Sequence, residues 1–135
     1  MAGYSATPLW KKLGYASGVR AWVMGGPTGY KKLLTLPADV KVIWLRDSEP
    51  AMKFVHLFAT TASALQGQLP FLRREIATDG VVWVSWPKKA SGVPTNITED
   101  TIRQLALPLG FVDIKVCAVD ETWSGLKLMI RRTER

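Results

Sequence analysis

The sequence predicts a three-layer α/β domain on a mostly parallel sheet of about six strands that ends in an antiparallel hairpin. Three observations carry that reading. The runs at 19–24, 40–45, 54–59 and 81–86 are apolar on both faces, as parallel strands sandwiched between helices must be. Helical segments alternate with these runs. The final pair differs: Val112, Ile114, Val116 and Ala118 alternate with Asp113, Lys115 and Cys117, and a short loop leads to a second run at 126–131, the pattern of an antiparallel edge hairpin. Right-handed crossovers make 2-1-3-4-6-5 the simplest strand order.

The elements follow in turn. Residues 7–13 read as a short helix, with Thr7 as N-cap and Pro8 in the first helical position. Gly14 and Gly18 frame a turn into the first strand, which Gly25-Gly26-Pro27 ends; 30–34 reads as a brief helix. The second strand is 40–45. The stretch 53–60 fits strand or helix, and its length and the Thr60-Thr61 that follows favour strand. The longest helix spans 61–77, with a kink expected near Pro70. Asp79-Gly80 is read as a turn into 81–86. A loop over 87–95, a helix over about 98–107 closed by Gly110, and the hairpin complete the chain.

Composition bounds the function. The 135 residues suffice for one core, so 1–135 is read as a single domain. No apolar run reaches the roughly 18 residues of a bilayer span, and no secretory signal is evident. Cys117 is the one cysteine, which excludes an internal disulfide and fits a reducing, cytoplasmic setting. Eighteen Lys and Arg against eleven Asp and Glu give +7, an excess that favours an anionic partner. The cations are scattered as pairs (Lys11-Lys12, Lys31-Lys32, Arg73-Arg74, Lys88-Lys89, Arg131-Arg132), unlike a nucleic-acid-binding arm.

The element order resembles the class I S-adenosylmethionine-dependent methyltransferases in reduced form, Rossmann-like folds whose sheet also ends in an antiparallel hairpin. The segment from Asp79 through Val84-Ser85-Trp86 to Lys89 looks like their late central strand, and Gly110-Phe111-Val112-Asp113-Ile114 like the start of their hairpin. Trp86-Pro87-Lys88-Lys89-Ala90-Ser91-Gly92-Val93-Pro94-Thr95, the segment from Val116 through Asp120-Glu121-Thr122-Trp123 to Lys127, and Tyr4-Ser5-Ala6-Thr7-Pro8-Leu9 resemble a bacterial family known as domain of unknown function 3052. That second resemblance implies a fold and a bacterial origin, and no activity.

Two turns are candidate sites. In Met24-Gly25-Gly26-Pro27-Thr28-Gly29, Gly26 and Gly29 match a phosphate-binding G-x-G-x-x-G turn, Met24 does not, and Pro27 removes a backbone donor. Asp47 lies about 20 residues on, where a ribose-binding acid is expected. S-adenosylmethionine or a nucleotide is the cofactor such a turn would take. The second turn follows a central strand at its carboxyl end, where open α/β sheets bind ligands. There Lys88, Lys89 and Ser91 offer charge and a hydroxyl, Trp86 a flat wall, and Thr60 and Thr61 the start of a helix at the same edge.

The remaining residues read as structure. His56 on an apolar strand is a satisfied core histidine, so neither a metal site nor a Ser-His-Asp triad is supported. Asp120 and Glu121 belong to a hairpin turn, with Trp123 as a lid; Cys117 is a structural thiol; Trp22, Trp44 and Trp83 are core residues. No catalytic set can be assembled. The favoured function is a non-catalytic module that binds an anionic small molecule or a protein partner through the 87–92 loop. The alternatives are a diminished S-adenosylmethionine-dependent methyltransferase and a basic nucleic-acid-associated protein.

Overall fold

A computed structural model describes residues 7–135; Tyr4, Ser5 and Ala6 lie outside the described residues. β1 (Arg20–Met24), β2 (Ile43–Trp44), β3 (Met52–Phe58), β4 (Ile76–Pro87), β5 (Phe111–Ala118) and β6 (Trp123–Ile130) form one sheet in the order β2-β1-β3-β4-β6-β5. β2, β1, β3 and β4 run parallel; β6 is antiparallel to β4, and β5 to β6. The expected class and strand order both hold. The ambiguous stretch 53–60 is strand because its alternate residues are buried on opposite faces, which no single helical stripe allows.

α1 (Leu9–Leu13) and α2 (Tyr30–Leu34) cover one face, and α3 (Ala62–Glu75) and α4 (Glu99–Ala106) the other. The Thr61 hydroxyl caps α3 by accepting from the Ala64 N–H at 3.3 Å. Thr98 and Thr101 form a reciprocal capping box on α4, whose first turn carries Glu99 and Asp100, favourable at the positive end of the helix dipole. Pro70 lies inside α3, removing one helical hydrogen-bond donor.

Three details differ from the sequence reading. Pro8, not Thr7, holds the N-cap position of α1. β2 shrinks to two residues, an edge strand that pairs with β1 at Arg20↔Ile43 and Ala21↔Trp44 alone, with the Ile43 and Leu45 N–H groups donating to the Val19 and Ala21 carbonyls. Asp79-Gly80 is no turn: β4 runs through it, and the adjustment appears as a register shift against β3.

The alternation of β3 and β4 divides the core. Val55, Leu57, Val82 and Val84 pack with Leu65, Leu69 and Leu72 of α3 and Ile102 of α4. On the other face Phe54, Phe58 and Trp83 pack with Leu13, Tyr15, Tyr30 and Leu34. No helix among the described residues is long and apolar enough to cross a membrane.

Candidate functional site

The carboxyl ends of the four parallel strands share one edge of the sheet, so both sequence-predicted turns do lie on the same side. Among the described residues they do not line the same cleft. A cleft of about 630 Å³ opens at the β1 and β2 ends, lined by Val23, Gly26, Pro27, Gly29 to Lys32, and Trp44 to Arg46. β3 stands between β1 and β4, and Phe58 at its end touches the Gly25-Gly26 turn and takes Trp123 edge-on at 5.0 Å.

Gly25 adopts φ +68°, and a Cβ there would fall 3.0 Å from the Phe58 carbonyl oxygen. Its glycine thus serves the approach of the turn to β3. Gly26 and Gly29 do line the cleft. Asp47 is exposed just beyond it, and its Oδ1 accepts from the Ser48 N–H at 2.8 Å.

Sequence reasoning missed the cations of this cleft. Lys31 and Lys32 come from α2 and Arg46 from the loop after β2, and all three are exposed. The Lys31 ammonium lies 5.0 Å from the Trp44 ring centroid, a cation–π contact on a half-buried indole that sequence reading had assigned to the core. None of the three is ion-paired among the described residues. The signal that could have found them is positional: they flank the first two strand exits of a parallel sheet.

The 87–92 loop is occupied with its own support. The Lys88 ammonium donates to the Asp120 carbonyl at 2.6 Å, its N–H to the Thr122 carbonyl at 2.8 Å, and the Ser91 hydroxyl to the Lys88 carbonyl at 2.6 Å. Asp120 Oδ1 accepts from the Thr122 and Trp123 N–H groups, the turn role expected of it. Trp86 is buried on the α3/α4 face, so it is core and not a ligand wall. Lys89 is exposed on a 3₁₀ turn over Lys89–Ser91. Thr60 accepts the Thr95 hydroxyl at its carbonyl, and Asn96 Oδ1 takes the Ala62 N–H, so the start of α3 is already satisfied.

Beneath the edge lies a buried polar chain. His56 is fully buried; its Nδ1 shares a 2.7 Å hydrogen bond with the Tyr30 hydroxyl and its Nε2 one of 2.7 Å with Ser85 Oγ. The Tyr30 and Tyr15 hydroxyls share another of 2.7 Å. Burial drives the imidazole down to about 3 and holds both phenols well above their ordinary range. The chain is therefore uncharged at neutral pH, and His56 is the satisfied core histidine expected. Among the described residues no group of acids, His and Cys could hold a metal ion.

No family model matches the chain, and no curated protein does. The resemblance to domain of unknown function 3052 thus finds no support. Solved structures are similar across most of its length. One is a protein assigned as a type 11 methyltransferase from Sulfolobus solfataricus (16% identity, TM-score 0.58, 86% of each chain). Another is the ribosomal protein L11 methylase of Lactobacillus delbrueckii subsp. bulgaricus (14%, TM-score 0.56, 92% of this chain and 76% of that one). A third is the magnesium protoporphyrin IX methyltransferase of Synechocystis PCC 6803, solved with bound S-adenosylmethionine (9%, TM-score 0.59, 91% and 74%). The fold is methyltransferase-like. At such identities the likeness concerns the fold alone.

Proposed function

We propose that this chain is a ligand-binding module of the methyltransferase-like fold that seats a flat, negatively charged small molecule in the cleft between the β1 and β2 ends. The observation that carries the reading is the lining itself: Lys31, Lys32 and Arg46 around the Trp44 indole, with no carboxylate among the lining residues. Such a set attracts an anion and offers a stacking surface for a ring. It supplies no base, acid or nucleophile positioned for group transfer, since His56 and Ser85 are sealed inside. Gly26 and Gly29 let the backbone approach the ligand. In this reading the 87–92 loop braces the edge through Lys88 and Ser91.

A second reading, a diminished S-adenosylmethionine-dependent methyltransferase, is favoured by the fold it shares with enzymes of that class. In it the same glycines face the ligand and Asp47 takes the ribose hydroxyls. The sulfonium of S-adenosylmethionine would sit among three cations, which is why an anionic nucleotide is preferred. Calorimetry with ADP, ATP, S-adenosylmethionine and S-adenosylhomocysteine separates the two. ADP or ATP binding more tightly than either adenosyl compound, and weakening about tenfold in Lys31→Ala or Arg46→Ala, supports the first reading. Tighter binding of S-adenosylmethionine, lost in Asp47→Ala, replaces it with the second. No heat with any of the four removes both.

A further inference from the structure

At the far end of the sheet from that cleft, the β5/β6 hairpin breaks a rule of strand pairing. Lys115 and Lys127 are direct cross-strand partners. Like charges in that relation weaken a ladder, where opposite charges would support it. Lys12, from the last turn of α1, comes to the same place. With Lys115, Val116, Cys117 and Ala118 it lines a hollow of about 290 Å³.

Among the described residues no carboxylate relieves the repulsion. None of the three lysines is ion-paired among the described residues. Neighbouring carboxylates are turned away: Asp113 binds Arg103 on the α4 side at 3.0 Å, and Asp120 caps the hairpin turn. The half-buried Lys127 ammonium is held below its usual range by burial and then by Lys115, while burial raises the Cys117 thiol against the opposing pull of Lys12 and Lys115. Two cations at one hollow, with a third, partly desolvated, paired across the strands with one of them, are a local cost, and such costs concentrate where a ligand repays them.

We propose that this hollow is a phosphate-type anion site, held by the Lys12 and Lys115 ammonium groups that line it and by Lys127 opposite Lys115 on the neighbouring strand, and distinct from the β1/β2 cleft. An anion of two or more charges seated there turns mutual repulsion into three attractions. The ligand is free phosphate or pyrophosphate, or the phosphoryl end of a small metabolite.

Cys117 is the chain's one thiol and lines the hollow, so its alkylation reports on this place alone. A bound anion both covers the thiol and raises its pKa, and each slows reaction with iodoacetamide. The experiment compares alkylation rates in sodium pyrophosphate, sodium phosphate and sodium chloride at matched ionic strength. A slowing of threefold or more by pyrophosphate over chloride is expected in the native protein. It should persist in Lys31→Ala/Arg46→Ala and vanish in Lys115→Gln/Lys127→Gln, each variant being referred to its own chloride rate. Slowing by pyrophosphate but not phosphate points to the larger ligand. Equal rates in pyrophosphate, phosphate and chloride mean screening only and overturn the proposal, as does slowing that survives Lys115→Gln/Lys127→Gln. Slowing that vanishes in Lys31→Ala/Arg46→Ala overturns it too, by moving the anion to the other cleft.

Discussion

The two faces of the sheet are closed by different means. On one, α3 and α4, of 14 and 8 residues, lay apolar side chains across the strands, and every core residue there is hydrophobic. On the other, α1 and α2 have five residues each, and the two buried polar side chains among the described residues, His56 and Ser85, lie beneath them. Long helices remove enough apolar area from water to hold a face by burial. Short ones remove less, and here they are tied down individually. Tyr30 reaches from α2 to His56, Tyr15 follows α1, and the Trp83 indole N–H donates to the Leu13 carbonyl at 2.8 Å. Burial tolerates sliding, whereas these bonds fix a position. The face that carries Lys31 and Lys32 beside the cleft is thus the one held by direction.

If the faces differ in this way, their responses to substitution should differ in kind. The largest effect belongs to Leu69→Ala in α3, fully buried, with an expected cost of about 3 kcal/mol in urea unfolding. A loss under about 1 kcal/mol would mean α3 does not carry its face by packing.

Next comes mild acid, which between pH 6.5 and 5 acts through His56 on the polar face. Native His56 stays neutral down to about pH 3, while the unfolded chain's imidazole takes a proton below about 6.5. The unfolded state thus binds more protons in that window, so stability falls as pH falls, by about 1.4 kcal/mol per unit. Between pH 6.5 and 5 the loss is about 2 kcal/mol. His56→Gln, less stable throughout, should show a flat profile over the same range. A sloping profile in His56→Gln would assign the acid response to another group.

Tyr30→Phe deletes one oxygen and strands two partners, His56 Nδ1 and the Tyr15 hydroxyl, at a cost of about 1.5 kcal/mol. An unchanged melting temperature would show that the thin face does not need its ties. Lys88→Met, at the edge, removes one charge-assisted bond to the Asp120 carbonyl and keeps the stem. It should cost about 1 kcal/mol or less and leave ADP binding unchanged. Weaker ADP binding would bring the 87–92 loop back as a ligand contact.

Much of this architecture is readable in the chain. Runs apolar on both sides read as covered parallel strands, and right-handed crossovers between them then lead to the strand order. Gly80 misled because a glycine after an aspartate signals a turn, yet here a Cβ would stand 2.7 Å from the Met52 carbonyl oxygen, so the residue answers to its neighbouring strand. The site was half legible. Gly26 and Gly29 follow from local spacing, but Arg46 meets Lys31 and Lys32 only once β2 lies beside β1. His56 was read correctly as a core residue, while its partners, 26 and 29 positions away, belong to other elements and leave no local mark.

A neutral imidazole owns a single proton on nitrogen, so one of the His56 contacts must be given and the other received. The two contacts therefore run in one sense, from Ser85 toward Tyr30 or from Tyr30 toward Ser85, and reversing either obliges the other to reverse. In the second sense the Tyr30 proton is committed to His56, so Tyr15 must donate to Tyr30. The middle of β4 and the start of α2 are in that respect two ends of one switchable dipole, and the nitrogen shifts of His56 read its orientation directly.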